Sequence, residues 1–209
     1  ISYSVTGVQT CALPISQLSN GAPFDVFMSA DMSYPEKLVE KGLADKDSLF
    51  QYAVGEIVIW VPNSSKIDLN KPGMDSLLDP EIKKIAIANP KHAPYGRAAE
   101  AALKKLGVYD KIESKLVLGE NIAQTAQYVE SGAADVGILA VSLALSPAMK
   151  PKGRYVKVPL DAYPEMRQGA VFMSASKNKE AAKALVAFMN SEKGKKILYN
   201  SGFSWPEKK

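Results

Sequence analysis

"KKIAIANPKHAPYGRAAEAALKKLG" occupies Lys83–Gly107, and its two halves follow different periodicities. Ile85 to Ala88 is a compact apolar run closed by Pro90, the pattern of a strand covered on both faces inside a parallel sheet. From Tyr95 the pattern changes: Ala99, Ala102, Leu103 and Leu106 fall on one helical face in an alanine-rich stretch, and Gly107 ends it. Pro94 and Gly96 hold a tight turn where the helix begins. A strand that feeds directly into a helix is the building unit of an α/β protein.

The same alternation extends in both directions. "FDVFMSAD" (Phe24–Asp31) reads as a strand, followed by a helix through "YPEKLVEKG" with Asp31 or Ser33 as cap, Pro35 in the first turn and Gly42 at the end. "YAVGEIVIWVP" (Tyr52–Pro62) reads as one long strand rich in β-branched residues, and "MDSLLDPEI" as a short helix. "KLVLGE", "ADVGIL", "RYVKVPL" and "QGAVFMSAS" (Gln168–Ser176) are further strands, and "NIAQTAQYVESG" (Asn121–Gly132) is a helix capped by Asn121. Two helices broken near Asn190–Ser191 close the chain. The expected fold class is α/β with two lobes and mainly parallel sheets. Gly55–Pro62 and Gln168–Ser176 are the longest continuous strands and are expected to cross between the lobes as a two-strand hinge. Residues 17–61 plus 169–209 then form the first lobe and 62–168 the second, with a ligand cleft between them.

Composition narrows the function. Of the 209 residues, 46% are apolar and 23% charged, ordinary values for a globular chain. The net charge is +4, and the lysines are spread along the chain rather than gathered in a basic stripe, which argues against nucleic-acid binding. One histidine and one cysteine exclude a Cys/His metal centre. No nucleophile–base pair and no GxxxxGK phosphate loop stands out, so an enzyme is not expected. No apolar run reaches membrane-span length.

"VTGVQTCALPIS" (Val5–Ser16) holds that cysteine, Cys11. It carries neither a helical stripe nor strict alternation, Pro14 interrupts it, and it lacks the basic start and apolar middle of a signal peptide. Its twelve residues resemble a common sequencing adapter read in frame. Residues 1–16 are therefore set aside, the biological chain is expected to begin near Gln17, and the first lobe is expected to be incomplete.

"GAPFDVFMSAD", "ANPKHAPYGRAAEAALKKLG", "GENIAQTAQYVESGAADVGI" and "YNSGF" resemble, in order and spacing, the periplasmic molybdate-binding proteins of ABC importers. The resemblance spans Gln17 to Phe203. It implies a two-lobed receptor that closes on molybdate or tungstate and delivers it to a membrane permease, as a monomer, in the periplasm or on a lipid anchor outside the cytoplasm, with no cofactor. Molybdate has four acceptor oxygens and no donor, so its site should present only donors: backbone N–H groups at helix starts and hydroxyls. Two helix starts qualify, "HAPYGR" and "GENIAQ". Tyr95 sits where one branch of the family places a ligand tyrosine. Ile122 sits where the family uses a backbone N–H. Pro94, Gly96, Asn121 and Ala140 complete the expected cleft. Other members carry a tyrosine at the position of Ala140, and Tyr95 is read as its substitute. The family's remaining hydroxyl donors lie in two N-terminal loops. The first is missing here, and Ser2, Ser4 and Ser16 cannot be equated with the second.

Other residues keep a plainer reading beside a functional one. Asp25 and Asp31 suit a strand-end hydrogen bond and a cap better than acid–base work. His92 either lines the cleft or is a solvated loop residue, Arg97 either adds charge near the anion or lies on the surface, and Trp60 belongs to the core. The competing functions are a receptor for another oxyanion or small organic acid, and the effector-sensing domain of a transcription regulator.

Overall fold

The run Tyr52–Pro62 is divided at Glu56, and that break organises the molecule. In the computed structural model, which describes residues 16–18, 20 and 22–205, β2 (Phe50–Gly55) and β3 (Ile57–Pro62) belong to two different sheets. Cys11, Ser2, Ser4 and the adapter-like stretch up to residue 15 lie outside the described residues. The first sheet has the order β1 (Val26–Ser29), β8 (Met166–Phe172), β2. The second has the order β5 (Leu116–Gly119), β4 (Ile85–Ala88), β6 (Val136–Ala140), β3, β7 (Gly153–Lys157).

The α/β character matches the expectation, but the expectation of mainly parallel sheets is corrected. Among the described strands only the β4–β5 and β4–β6 pairs are parallel. The first sheet is antiparallel throughout, because β2 leaves it at the same end where β8 enters, with Gly55 opposite Met166. In the second sheet β3 starts at that crossing and β6 ends there, with Ile57 opposite Ala140, so these strands too are antiparallel. The return crossing is not Gln168–Ser176 but the segment 158–165 ahead of β8. Along it the Val158 N–H donates to the Ile57 carbonyl at 3.1 Å, and the Ile57 N–H to the Tyr163 hydroxyl at 3.3 Å.

Helices cover the sheets: α1 (Ser33–Glu40), α2 (Pro94–Lys105), the one-turn α3 (Tyr109–Ile112), α4 (Ile122–Glu130), the one-turn α5 (Val141–Ala144), α6 (Lys179–Asn190) and α7 (Glu192–Asn200). "MDSLLDPEI" supplies one 3-10 turn, Asp75–Leu78. On one face of the second sheet Ile57, Ile59, Ile85, Ile87 and Ile138 pack with Ala99, Ala102 and Leu103 of α2. Leu106, expected on that face, stands just past the helix end and is 37% exposed. On the other face Val58, Trp60, Ala86 and Leu139 meet Ala126 and Val129 of α4. Each fully buried aliphatic side chain of this kind contributes roughly 1.5–3 kcal/mol. Trp60 is core, as expected, and its indole Nε1 has no hydrogen-bond partner among the described residues.

Candidate functional site

Both expected helix starts sit at the carboxyl ends of strands of the second sheet, where α/β folds bind ligands. The first follows β4. Ala93 is extended (φ −103°, ψ 123°), as a residue before proline must be, and Pro94 opens α2. Pro94 needs no N–H partner at that position, so its ring costs the helix nothing. Gly96 lies against the end of β4: a Cβ there would fall well inside van der Waals contact of the Ala88 carbonyl oxygen. The "PYG" turn therefore needs glycine in third place, and that close approach brings Tyr95 inward.

The second start follows β5. Asn121 caps α4, its Oδ1 accepting from the Gln124 N–H at 2.9 Å, as expected from sequence. Gln124 reaches back so that its Oε1 accepts from the Glu120 N–H at 2.6 Å. With the third N–H of the helix bound to Asn121, those of Ile122 and Ala123 point out from the helix start. The Ile122 side chain is buried in the core, so this position offers its backbone.

Two contacts hold the starts side by side. The Asn89 N–H donates to the Gly119 carbonyl at 2.7 Å, and His92 Nε2 lies 3.1 Å from the Glu120 carbonyl oxygen. A carbonyl only accepts, so Nε2 carries the proton. His92 is half-buried and ties the two loops together through this bond.

Tyr95 is 7% exposed and faces the crossing between the sheets. Gln168 of β8 donates from Nε2 to its hydroxyl oxygen at 2.8 Å. The Gln168 Oε1 accepts from the Tyr52 hydroxyl at 2.8 Å. Gly55 leaves room for this pair: a Cβ there would come within 2.7 Å of Gln168 Nε2 and 2.8 Å of the Tyr95 oxygen. Burial pushes the Tyr95 phenol up to about 12, against hydrogen bonding from Gln168 and Ser142. It stays protonated, a donor, at any physiological pH. Ala140 is buried at the end of β6 and offers no polar group, but Ser142, two residues on in α5, brings a hydroxyl to Tyr95.

A cavity of about 360 Å³ opens beside these groups, lined by Ala30, Asp31, Pro94, Arg97, Glu165 and Arg167 among others. Pro94 is the one expected position in its lining; Tyr95 and Ile122 do not line it. Met32, not Asp31 or Ser33, holds the N-cap position of α1, without a side-chain bond; just ahead of it Asp31 Oδ1 accepts from the Ser33 N–H at 2.8 Å, and its Oδ2 pairs with Arg97 across the cleft. The Tyr34 hydroxyl donates to the His92 carbonyl at 3.3 Å and adds a second bridge. The charge of Arg97 is therefore already matched by Asp31. Asp25 accepts from Ser176 and Asn178 at the end of β1, and these bonds hold its carboxyl below the usual range. Sequence reasoning missed Gln168 and Ser142. A polar residue inside the apolar run Met166–Phe172 was the available signal for the first. Among the described residues no group of three or more His, Cys, Asp or Glu side chains is placed to hold a metal ion, and no helix is long and apolar enough to cross a membrane.

The profile of the family described as bacterial extracellular solute-binding protein matches residues 5–204. The chain is 38% identical over 188 residues to the molybdate-binding protein ModA of Rhodobacter capsulatus, covering 90% of this chain and 72% of that protein. It is 39% identical over 189 residues to ModA of Azotobacter vinelandii, covering 90% and 73%. The solved periplasmic molybdate-binding protein of Azotobacter vinelandii superposes with a TM-score of 0.85 at 32% identity, over 95% of this chain and 85% of that one.

Proposed function

The chain belongs to the bacterial extracellular solute-binding proteins, and from that premise we propose that it is the substrate-binding component of an ABC importer for molybdate. The observation that carries this reading is the pair of helix starts held side by side next to a buried phenol that stays protonated at physiological pH. A tetrahedral dianion with four acceptor oxygens is matched by backbone N–H groups, helix dipoles and a hydroxyl, without a full positive charge. Tyr95 donates from its hydroxyl and Ile122 from its backbone, with Pro94, Gly96, Asn121 and Ala140 shaping the wall between them. Tungstate, equal in charge and shape, fits the same donors.

The two sheets act as the two lobes, and the chain segments at 55–56 and 158–165 act as the hinge. Closure brings the lobe carrying Asp31 and Tyr34 onto the lobe carrying His92 and Arg97, the contacts seen in this structure. The loaded, monomeric receptor, outside the cytoplasm, then hands the anion to a membrane permease. No bond is made or broken in the ligand. Titration calorimetry with molybdate, tungstate, sulfate and hydrogen phosphate tests the assignment. Saturable binding of the first two, tighter than the last two, is expected; preference for sulfate or phosphate, or no anion binding at all, contradicts it.

A further inference from the structure

Gln168 sits in the first sheet and Tyr95 at the start of a helix of the second, yet their side chains meet at 2.8 Å in the buried crossing. Gln168 is 3% exposed, so both ends of its amide are committed to protein partners. The Tyr52 hydroxyl lies 2.8 Å from Oε1 and 3.4 Å from the Ser29 carbonyl. The shorter contact takes the Tyr52 proton and makes Oε1 the acceptor, which turns the Nε2 donor toward Tyr95. An amide nitrogen donates and does not accept. The Tyr95 oxygen therefore receives a proton from Gln168, and its own proton points away from Gln168, toward the Ser142 hydroxyl or the cleft.

The geometry points to Gln168 as a positioning residue that sets the hydrogen-bond polarity of Tyr95, so that the site accepts oxyanions with bare oxygens and rejects those carrying a proton. The proposal rests on the reading of Tyr95 as a ligand donor. With Gln168 donating to its oxygen, the phenol is biased to turn its proton rather than a lone pair toward the anion. Molybdate, with four bare oxygens, uses that proton. Hydrogen phosphate is a dianion of similar shape whose P–OH group needs an acceptor, and a Tyr95 held as donor leaves that group unpaired where it faces the phenol. Gly55 is part of the device, because any side chain there would displace both Gln168 Nε2 and the Tyr95 oxygen.

The test is a double-mutant cycle with Gln168→Met, close in shape but without donor or acceptor, in the wild-type and Tyr95→Phe chains. Calorimetry gives the ratio of molybdate to hydrogen phosphate affinity in all four. In the wild-type background Gln168→Met is expected to lower the ratio about tenfold, one charge-assisted hydrogen bond changing sense. In the Tyr95→Phe background it is expected to change nothing further. An unchanged ratio in the single variant, or an equal drop in both backgrounds, overturns the positioning role. If Tyr95→Phe alone leaves molybdate binding intact, the ligand reading of Tyr95 fails instead. Should Gln168→Met not fold, Gln168→Leu, likewise without donor or acceptor, replaces it in the same cycle and is read by the same outcomes.

Discussion

His92 Nε2 lies 3.1 Å from the carbonyl oxygen of Glu120 and joins the loop before α2 to the loop before α4. The two residues are 28 positions apart, and each belongs to a different helix start of the proposed site. Replacing His92 by Ala removes one neutral hydrogen bond, roughly 0.5–1.5 kcal/mol. The loss falls on the spacing of the two helix starts, so molybdate affinity is expected to drop about three- to tenfold. His92→Gln, which restores a donor, should recover part of it. Calorimetry on the two variants checks this; equal affinities in both and in the wild type would remove His92 from the site's support.

Gly96→Ala should act on stability and binding together. Its Cβ would press into the Ala88 carbonyl, which is backbone and cannot swing away, so α2 must shift. Overpacking of this kind costs roughly 1–3 kcal/mol. For a chain of this size the melting temperature should fall by about 3–10 °C, with weaker molybdate binding as Tyr95 moves. Differential scanning calorimetry settles the first part; an unchanged melting temperature would mean that the helix start is not tight.

Asp31→Asn should strengthen anion binding. The exposed Asp31–Arg97 pair contributes little to stability, about 0–1 kcal/mol. Asparagine can still accept from the Ser33 N–H, while Arg97 loses its matching charge beside the cleft. The site then becomes more positive, and molybdate should bind a few-fold tighter at low ionic strength. The gain should fade toward 0.5 M salt, as screening requires. A gain that is independent of salt would point to a change in lobe closure rather than to charge.

Much of this was legible in the residues themselves. Pro94, Asn121 and Gly107 mark helix boundaries by local chemistry alone, and each stands where that chemistry puts it. The division at Glu56 was not legible as a break, because the residues on both sides favour strand. Glu56 is 8% exposed and accepts from Lys157 Nζ at 2.7 Å, a pairing between residues 101 positions apart that no local pattern encodes. The strand directions were misjudged for the same reason: β4 is flanked by helices and pairs in parallel, whereas β2, β3 and β8 follow the crossing. Tyr95 was reached through family resemblance, but the polarity of its hydroxyl depends on Gln168, 73 residues away.

Alkaline titration should single out Tyr95. Its phenol is pushed from 10.0 up to about 12 by burial. A pKa raised by folding contributes stability that is fully present below the unfolded value and is lost as pH rises through the folded one. Here the window runs from about pH 10 to about pH 12, and the two units amount to about 3 kcal/mol. Other tyrosines and lysines titrate there too, so the comparison with Tyr95→Phe carries the information. The difference in unfolding free energy between the two chains should shift by about that amount between pH 9 and pH 12, with the wild type losing more. Parallel losses would mean that Tyr95 titrates like an exposed phenol.

The dissociation constant of molybdate for Tyr95→Phe, measured by titration calorimetry beside the wild type, tests the proposed site most directly. The substitution removes one oxygen and its proton and leaves the ring in the core. A hydrogen bond to a charged partner is worth roughly 1.5–3 kcal/mol, so the affinity should fall about ten- to a hundredfold while the melting temperature stays within a few degrees. An unchanged dissociation constant would contradict the assignment of Tyr95 as a ligand of the anion.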